Sequence, residues 1–284
     1  KLGCKTALLT LEASKIGVMS CNPAIGGIAK GHLVKEIDAL GGLMARNTDL
    51  SAIQYRRLNM SKGPAVRSSR AQCDKNRYAK NIQEVLSKIN NLSIITAEVS
   101  DIITKNGKIV AIMTTGGDTI YTKSLVISSG TFLRGLMHTG HEKQEGGRVG
   151  DKSSRSLSEK LIALGFDLTR LKTGTPPRLH KDSIDFSKTE SQLGDENPRP
   201  FSFFTTPNPF PFLPQLPCHI TYTNQTTHEI IEDNLKRSPM FSGQIQGVGP
   251  RYCPSIEDKV FRFRDKDRHQ IFLEPEGLDV NDVY

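Results

Sequence analysis

The sequence predicts an α/β protein, and three patterns along the 284-residue chain lead to that prediction. A short apolar strand over 5–11 ends at an acid, Glu12, as in the second half of a dinucleotide-binding βαβ unit. Segment 101–114 has the apolar runs and the central Asn-Gly turn of a β-hairpin. Another apolar run, 124–128, reads as a buried strand that leads into the turn Ser129-Gly130-Thr131.

Composition excludes several classes of protein. The chain has 38 Lys+Arg and 30 Asp+Glu, a formal net charge of +8, and its 24% charged and 36% hydrophobic residues fit a globular protein. No apolar run approaches the ~20 residues that span a bilayer, so we expect no membrane association. The 5 cysteines form no CxxC pair, which predicts free thiols in a reducing cytoplasm and no metal site. The excess of positive charge favours a polyanionic partner.

The first strand also predicts that the chain is a fragment. In dinucleotide-binding units the glycine-rich phosphate loop lies ~20 residues before the acid that ends the second strand. Counting back from Glu12 puts that loop before the first residue. An ordinary αβ edge that binds no nucleotide is the alternative.

The remaining helices and strands are predicted from the spacing of apolar residues and from the Gly and Pro residues that end regular structure. Helices end where glycines follow them, and the Pro-rich and Phe-rich stretch cannot form a regular helix or a central strand. We read that stretch as a long ordered loop that packs its phenylalanines. The predicted helices are 32–40, 70–89, 154–164 and 227–235, the predicted strands 92–99, 119–122, 171–178, 219–223 and 270–273, and the Pro/Phe loop 195–217.

This order of elements is typical of flavoproteins that bind two dinucleotides. In that layout the backbone at the end of the late strand, here Val99, contacts adenine. The turn at Gly130 and Thr131 lets the backbone approach the cofactor, because a Cβ there would interfere. A generic meander on a sheet is the alternative.

Two cysteines stand in loops suited to chemistry. Cys21 begins a glycine-rich loop in which Gly26 and Gly27 can present backbone N–H groups to a phosphate or a ring. Cys253 lies in a proline-bounded loop beside Arg251, and a neighbouring cation favours the nucleophilic thiolate. Burial as a small apolar group is the alternative for any single cysteine, and we expect it for Cys4, Cys73 and Cys218. Loop-borne cations, including Arg70 and Arg178, suit phosphate contacts or simply a solvated surface.

Five long motifs occur in order along the chain. They are SCNPAIGGIAKGHLVKEIDALGGLM, LNMSKGPAVRSSRAQCD, LKTGTPPR, NLKRSPMFSGQIQGVGPRYCPSIEDKVFRF and HQIFLEPEG. With these motifs the chain closely resembles the MnmG family, also called GidA, whose members are FAD-dependent enzymes that modify the wobble uridine of tRNA. The resemblance covers essentially the whole chain and places it in roughly the N-terminal half of a family member.

The resemblance implies a glutathione-reductase-like FAD-binding Rossmann domain, without its first glycine loop, that carries an inserted NAD-binding α/β domain. The FAD domain would comprise 1–145, the insert 146–269, and the return toward the FAD domain 270–284. The resemblance further implies that NADH reduces FAD, that methylenetetrahydrofolate donates a methylene unit, and that the GTPase MnmE is a partner. The family also implies a cytoplasmic homodimer that forms a heterotetramer with that GTPase.

Site residues carry over from the same resemblance. Val99 and Ser154 match FAD-binding positions, and Cys21 and Cys253 match the family's two functional cysteines. A thiolate that adds to carbon six of uracil makes carbon five nucleophilic, and we favour Cys253 for that step. The segment that matches the family's NAD-binding region consists of Gly249, Pro250, Arg251, Tyr252, Cys253, Pro254, Ser255, Ile256, Glu257, Asp258, Lys259, Val260, Phe261, Arg262 and Phe263.

Two other functions stay open at this point. A folate-dependent tRNA uridine methyltransferase of related fold shares the layout, although we would not expect the motif GPRYCPSIEDK in it. A non-catalytic flavin-fold scaffold that docks tRNA or a GTPase would carry no yellow cofactor.

Overall fold

The secondary structure is mixed α/β in the computed structural model, which describes residues 2–172, 174–206, 208–245, 247 and 254–284. The strands are β1 Thr6–Thr10, β2 Ala24–Gly26, β3 Ala52–Leu58, β4 Ser68–Cys73, β5 Leu92–Thr96, β6 Val99–Lys105, β7 Lys108–Thr114, β8 Thr119–Tyr121, β9 Leu136–Thr139, β10 Glu142–Glu145, β11 Leu179–His180, β12 Glu190–Gln192, β13 Cys218–Tyr222, β14 Gln270–Leu273 and β15 Asp282–Val283. The α-helices are α1 Lys30–Ala39, α2 Met44–Ser51, α3 Lys75–Ser87, α4 Ser156–Ala163, α5 Gln225–Asn234 and α6 Ile256–Arg262.

The strand that opens the chain is confirmed. β1 pairs in parallel with β5, from Thr6 opposite Leu92 to Thr10 opposite Thr96. Helix α3 lies between these strands in the chain, and its first turn is capped by Asp74, whose carboxylate accepts the N–H of Arg77 at 2.9 Å. The βαβ unit that the sequence predicts would begin upstream of β1 and stays a prediction; what the structure shows is a parallel pair whose connection runs through several elements and ends with α3.

A three-stranded antiparallel sheet, β2-β4-β3, carries the first hydrophobic core. Small residues such as Ala45, Ala52 and Ala71 let helices and strands approach closely, and the gap beside them is filled by Phe201, which is 0% exposed. Phe201 comes from the Pro/Phe segment, so that segment packs on the core as the sequence predicts. The prediction holds only in part, because Phe203 is 67% exposed.

Two buried carboxylates hold the Pro/Phe segment in place. Asp49 accepts the N–H of Phe201 at 2.7 Å and that of Ser202 at 2.9 Å, while Asp38 accepts the N–H of Phe203 at 2.7 Å. A buried carboxylate is costly unless donors surround it, and here backbone N–H groups of a loop serve as donors. Burial raises the pKa of Asp49 despite these hydrogen bonds.

The predicted β-hairpin is confirmed and extends into a meander, β6-β7-β8. Asn106 and Gly107 both have positive φ, 52° and 73°, as the two central positions of a tight hairpin turn require. Against this sheet packs α4, whose Leu157 and Leu161 form a second core cluster with Ile102. Gly165, at φ 89°, ends the helical segment as predicted.

The later part of the chain forms another antiparallel sheet, β12-β13-β14, with α5 and α6 nearby in sequence. β13 pairs with β14 from His219 opposite Leu273 to Tyr222 opposite Gln270. The sequence analysis expects a boundary at residue 270 between the insert and the returning segment. That boundary separates β13 from β14, although the two strands pair in one sheet. After Leu273 the chain runs to β4 and α3, where Glu274 pairs with Arg70 and Glu276 with Lys75.

Four sequence predictions are wrong in detail. The late strand predicted over 92–99 ends at Thr96, and Val99 is the first residue of β6, in a different sheet. Segment 124–128 is not a strand, and Val126 is 88% exposed, because no strand in the described part of the chain pairs with it. The helix predicted over 70–89 begins only at Lys75, because β4 pairs with strands on both of its sides. The described residues of 171–178 form no strand.

We predict that Phe201→Ala lowers the free energy of unfolding by about 3–5 kcal/mol, because it removes a fully buried ring from a core too tightly packed to collapse. Urea denaturation measures the change. Phe203→Ala, on the same segment but largely exposed, is the matched control and should cost less than about 1 kcal/mol. Equal losses for the two variants would contradict this account of the core.

Candidate functional site

The loop that carries Cys21 lies at the surface, and the loop's end is anchored in the central sheet. The carbonyl of Pro23 accepts the N–H of Cys73 at 2.6 Å, and β2 follows at once. Cys21 itself is exposed, as the sequence predicts. The structure therefore presents a free thiol on a loop whose end is anchored.

The guanidinium groups of Arg148 and Arg178 donate hydrogen bonds to this loop. Nη1 of Arg148 donates to Oγ of Ser20 at 2.7 Å. Nη2 of Arg178 donates to the carbonyl oxygens of Ser20, at 3.1 Å, and of Cys21. Arg148 also pairs with Asp151. Arg178 in turn pairs with Glu276. Because both cations have carboxylate partners, their main effect is to orient the loop, and they leave little unpaired positive charge.

A pair of buried glutamates lies on the other side of this loop. Glu274, 5% exposed, accepts Nη2 of Arg70 at 2.5 Å and Nδ2 of Asn22 at 2.6 Å. Glu276, 2% exposed, accepts Nζ of Lys75 and Nε of Arg178, each at 2.5 Å. Arg70 and Arg178, which the sequence suggests for phosphate contacts, are thus neutralised by buried glutamates within the chain. The sequence analysis missed these two glutamates, although they belong to a Glu-Pro-Glu triplet directly after a strand.

The glycine turns differ in what surrounds them. A Cβ built on Gly27 (φ 94°) or on Gly130 (φ 57°) would meet no atom of the described chain within 4 Å, so open space lies beside both. A Cβ on Gly26 would lie 2.2 Å from the carbonyl oxygen of Ser69 and 2.9 Å from the ring of Phe201. Packing within the chain therefore explains the glycine at position 26, and positive φ favours glycine at 27 and 130. The N–H of Gly27 donates to the carbonyl of Ser69 at 2.9 Å, so it is not free for a phosphate or a ring, and the turn at Gly130 is the one of the two that leaves room for a ligand.

The predicted FAD-binding positions Thr131 and Ser154 come together. The N–H of Ser154 donates to the carbonyl of Phe132 at 2.8 Å, next to Thr131. Val99 packs against the same core cluster as Leu133. The hydroxyl of Ser154 is buried and has no partner in the described part of the chain. Buried hydroxyls are normally hydrogen-bonded, so this one fits a polar group of a bound cofactor.

The predicted NAD-binding segment is described only from Pro254 onward; Gly249, Pro250, Arg251, Tyr252 and Cys253 lie outside the described residues. From there the sequence forms α6, which begins with a capping box between Ser255 and Asp258. Val260 is buried at 1% exposure, while Phe261 and Phe263 are about half exposed. An open depression of about 380 Å³ is lined by Ile256 and Glu257 on one side and by Gly140 and His141 on another.

The other described cysteines divide by burial. Cys73 and Cys218 are buried, as the sequence predicts, and burial raises the pKa of Cys218 to about 12. Cys4 is exposed, so the expectation of a buried structural residue is wrong there. Among the described residues no group of His, Cys, Asp and Glu could hold a metal ion. Within the same residues, no helix has the length and apolar character needed to cross a bilayer.

The mixed helices and strands with the parallel β1-β5 pair, together with the match to GidA given below, place the chain among α/β proteins of the dinucleotide-binding class. The chain belongs to the family described as glucose inhibited division protein A, whose profile matches residues 1–284. The resemblance drawn from the motifs is confirmed.

Comparison with individual proteins supports the same assignment. The chain is 55% identical over 284 residues to the tRNA uridine 5-carboxymethylaminomethyl modification enzymes MnmG of Thermodesulfovibrio yellowstonii and Geobacter sulfurreducens. Two crystal forms of Aquifex aeolicus GidA match 99% of the chain with TM-scores of 0.90 and 0.91 at 50% and 51% identity. The chain spans 45% of the length of the MnmG relatives and 46% and 48% of the GidA chains.

We predict that iodoacetamide at pH 8 alkylates Cys4 and Cys21 rapidly in the native protein and leaves Cys73 and Cys218 unmodified. The buried thiols are both inaccessible and un-ionised, since burial holds the pKa of Cys218 about four units above that pH. Peptide mass spectrometry after timed quenching measures each site. Labelling in urea, which exposes the thiols, is the control; native labelling of Cys218 as fast as that of Cys21 would contradict the structure.

Proposed function

We propose that this chain is part of an enzyme that modifies the wobble uridine of tRNA by building an aminomethyl or carboxymethylaminomethyl group on carbon five. The observation that carries the proposal is the 55% identity, over every residue of the chain, to relatives named for that modification. The exposed thiol of Cys21, held in an ordered loop, supports the proposal from the structure.

FAD is the cofactor that the geometry favours. Ser154, with its unpaired hydroxyl, and the open turn at Gly130 would hold it, together with Thr131 and the backbone at Val99. We assign these residues to an FAD-binding part, 1–145 with Ser154, and assign 146–269 to an insert that binds NADH along α6; 270–284 returns to the first part. When bound, FAD would supply the redox chemistry that joins a one-carbon unit from methylenetetrahydrofolate to the uridine.

The chain's own contribution to the reaction is a thiol. A thiolate sulfur that bonds to carbon six of uracil breaks the C5–C6 double bond and leaves carbon five nucleophilic. After carbon five has bonded to the one-carbon unit, a base removes the proton from carbon five, and that electron pair restores the double bond as the thiolate leaves carbon six. Cys253 is our choice for this attack, and Cys21 for proton transfer on the flavin side. The open position of Cys21 is compatible with that role.

Partners follow from the same proposal. The net charge of +8 suits binding of tRNA, because phosphate neutralisation dominates affinity for nucleic acids. We propose the GTPase MnmE as the protein partner, in a heterotetramer built on a homodimer.

We predict that deleting the gene that encodes this chain removes the carboxymethylaminomethyl group from tRNA wobble uridines. Nucleoside mass spectrometry of total tRNA measures the loss, and re-expression of the intact gene should restore the modification. Loss of 5-methyluridine instead would point to a folate-dependent methyltransferase. A full-length protein without flavin absorption would point to a scaffold.

We predict that Cys21→Ser and Cys253→Ser in the full-length protein each abolish tRNA modification but keep a normal flavin spectrum and NADH-driven flavin reduction. Serine keeps the size of the side chain but is not appreciably ionised at neutral pH, so it is a poor nucleophile. Cys4→Ser, at an exposed cysteine outside the site, is the matched control and should remain active.

A 5-fluorouridine tRNA identifies the attacking residue, because the trapped adduct can be mapped by peptide mass spectrometry. An adduct on Cys253 is expected. An adduct on Cys21 would reverse the two roles, and full activity of both serine variants would remove cysteine from the mechanism.

A further inference from the structure

The side chain of Arg178 has a fully determined set of contacts around the Cys21 loop. Its Nε donates to Oε1 of Glu276 at 2.5 Å, and its Nη1 donates to the carbonyl of Pro176 at 3.1 Å. Its Nη2 donates to the carbonyls of Ser20 and Cys21. Its guanidinium also lies over the ring of Tyr284, 4.8 Å from the centroid. Each nitrogen of the Arg178 guanidinium therefore has a hydrogen-bond partner, and one of these partners is the backbone carbonyl of Cys21.

Glu276 makes this orientation possible. It is 2% exposed, its Oε2 is occupied by Lys75, and its Oε1 is left for Arg178. The backbone on both sides is fixed too, since the N–H of Lys75 donates to the carbonyl of Glu276 at 3.0 Å. A buried carboxylate held in this way cannot turn toward another partner, so it sets the direction of the Arg178 fork.

The next residue of the loop has an independent attachment. Asn22 donates from Nδ2 to Glu274 at 2.6 Å, and Glu274 is paired in turn with Arg70 of β4. Consecutive residues, 20–22, are thus tied to the two acids of a single Glu-Pro-Glu turn. A surface loop tied so closely is costly in conformational entropy, which indicates that its position matters.

We propose that Arg178, oriented by Glu276, is a positioning residue that sets the place of the Cys21 thiol in the uridine chemistry. This inference rests on the proposed function for the role of Cys21. Lysine cannot replace the arginine, because an ammonium is a single point and cannot reach Glu276 and the two loop carbonyls at the same time.

Arg178→Lys in the full-length protein tests the proposal. We expect kcat for tRNA modification to fall between about ten- and a hundredfold, as for small displacements of a reacting group, with KM for tRNA and flavin content unchanged. Hydrogen exchange of the peptide that contains residues 20–22 should become faster, because the loop loses its carbonyl contacts. Arg77→Lys, at an exposed position on α3, is the matched control and should change neither quantity.

A second variant keeps the test decisive if Arg178→Lys folds poorly. Glu276→Gln retains both side-chain heteroatoms but loses the charge that orients Arg178, and it should lower kcat and speed the same exchange. Unchanged kcat and unchanged exchange in a folded Arg178→Lys protein would overturn the proposal. An active Cys21→Ser protein would instead overturn the role of Cys21, whereas faster exchange in Arg178→Lys would still establish that the arginine holds the loop.

Discussion

Two buried carboxylates, Glu274 and Glu276, hold together parts of the chain that are far apart in sequence. They pair with Arg70 of β4, Lys75 of α3 and Arg178 of the Pro-rich turn, across separations of about 100 to 200 residues. Removing one partner of a buried ion pair costs about 3–5 kcal/mol, because the remaining charge stays desolvated. These pairs therefore stabilise the relative positions of β4, the start of α3 and the Cys21 loop, alongside the backbone hydrogen bonds of the sheet.

A second pair of buried carboxylates, Asp38 and Asp49, holds another distant segment of the chain. These two accept hydrogen bonds from backbone N–H groups and hydroxyls of the Pro/Phe segment, whereas Glu274 and Glu276 pair with cations. In its described residues, 195–206 and 208–217, that segment has no helix or strand of its own that could bind it to the core. Carboxylates in α1 and α2 supply the acceptors that a regular sheet would otherwise have supplied, and Phe201 then fills the core.

The sequence predicted elements whose signals are local. β1, the hairpin around Asn106-Gly107, β13 and α5 each carry their own periodicity or turn chemistry, and each is confirmed. Segment 124–128 was mispredicted because a buried strand needs a neighbour, which periodicity does not reveal. The helix predicted over 70–89 overlaps the last four residues of β4, where a short stretch fits either repeat and only pairing with β2 and β3 decides for strand.

The same distinction between local and long-range signals explains which site residues the sequence could identify. Cys21 and the glycines at 27 and 130 are recognisable from residue type alone, and the structure leaves them exposed or beside open space. The contact between Arg178 and Glu276 joins residues 98 positions apart, so no local pattern signals it. Ser154 was named from the family resemblance, and only the fold shows that its hydroxyl is buried without a partner in the described part of the chain.

The most direct test of this account is a double-mutant cycle on kcat for tRNA modification, with Arg178→Lys and Glu276→Gln singly and together in the full-length protein. If Glu276 acts on the thiol loop through Arg178, the double variant should be no slower than the slower single variant. Effects that multiply, as for two independent residues, would contradict the account.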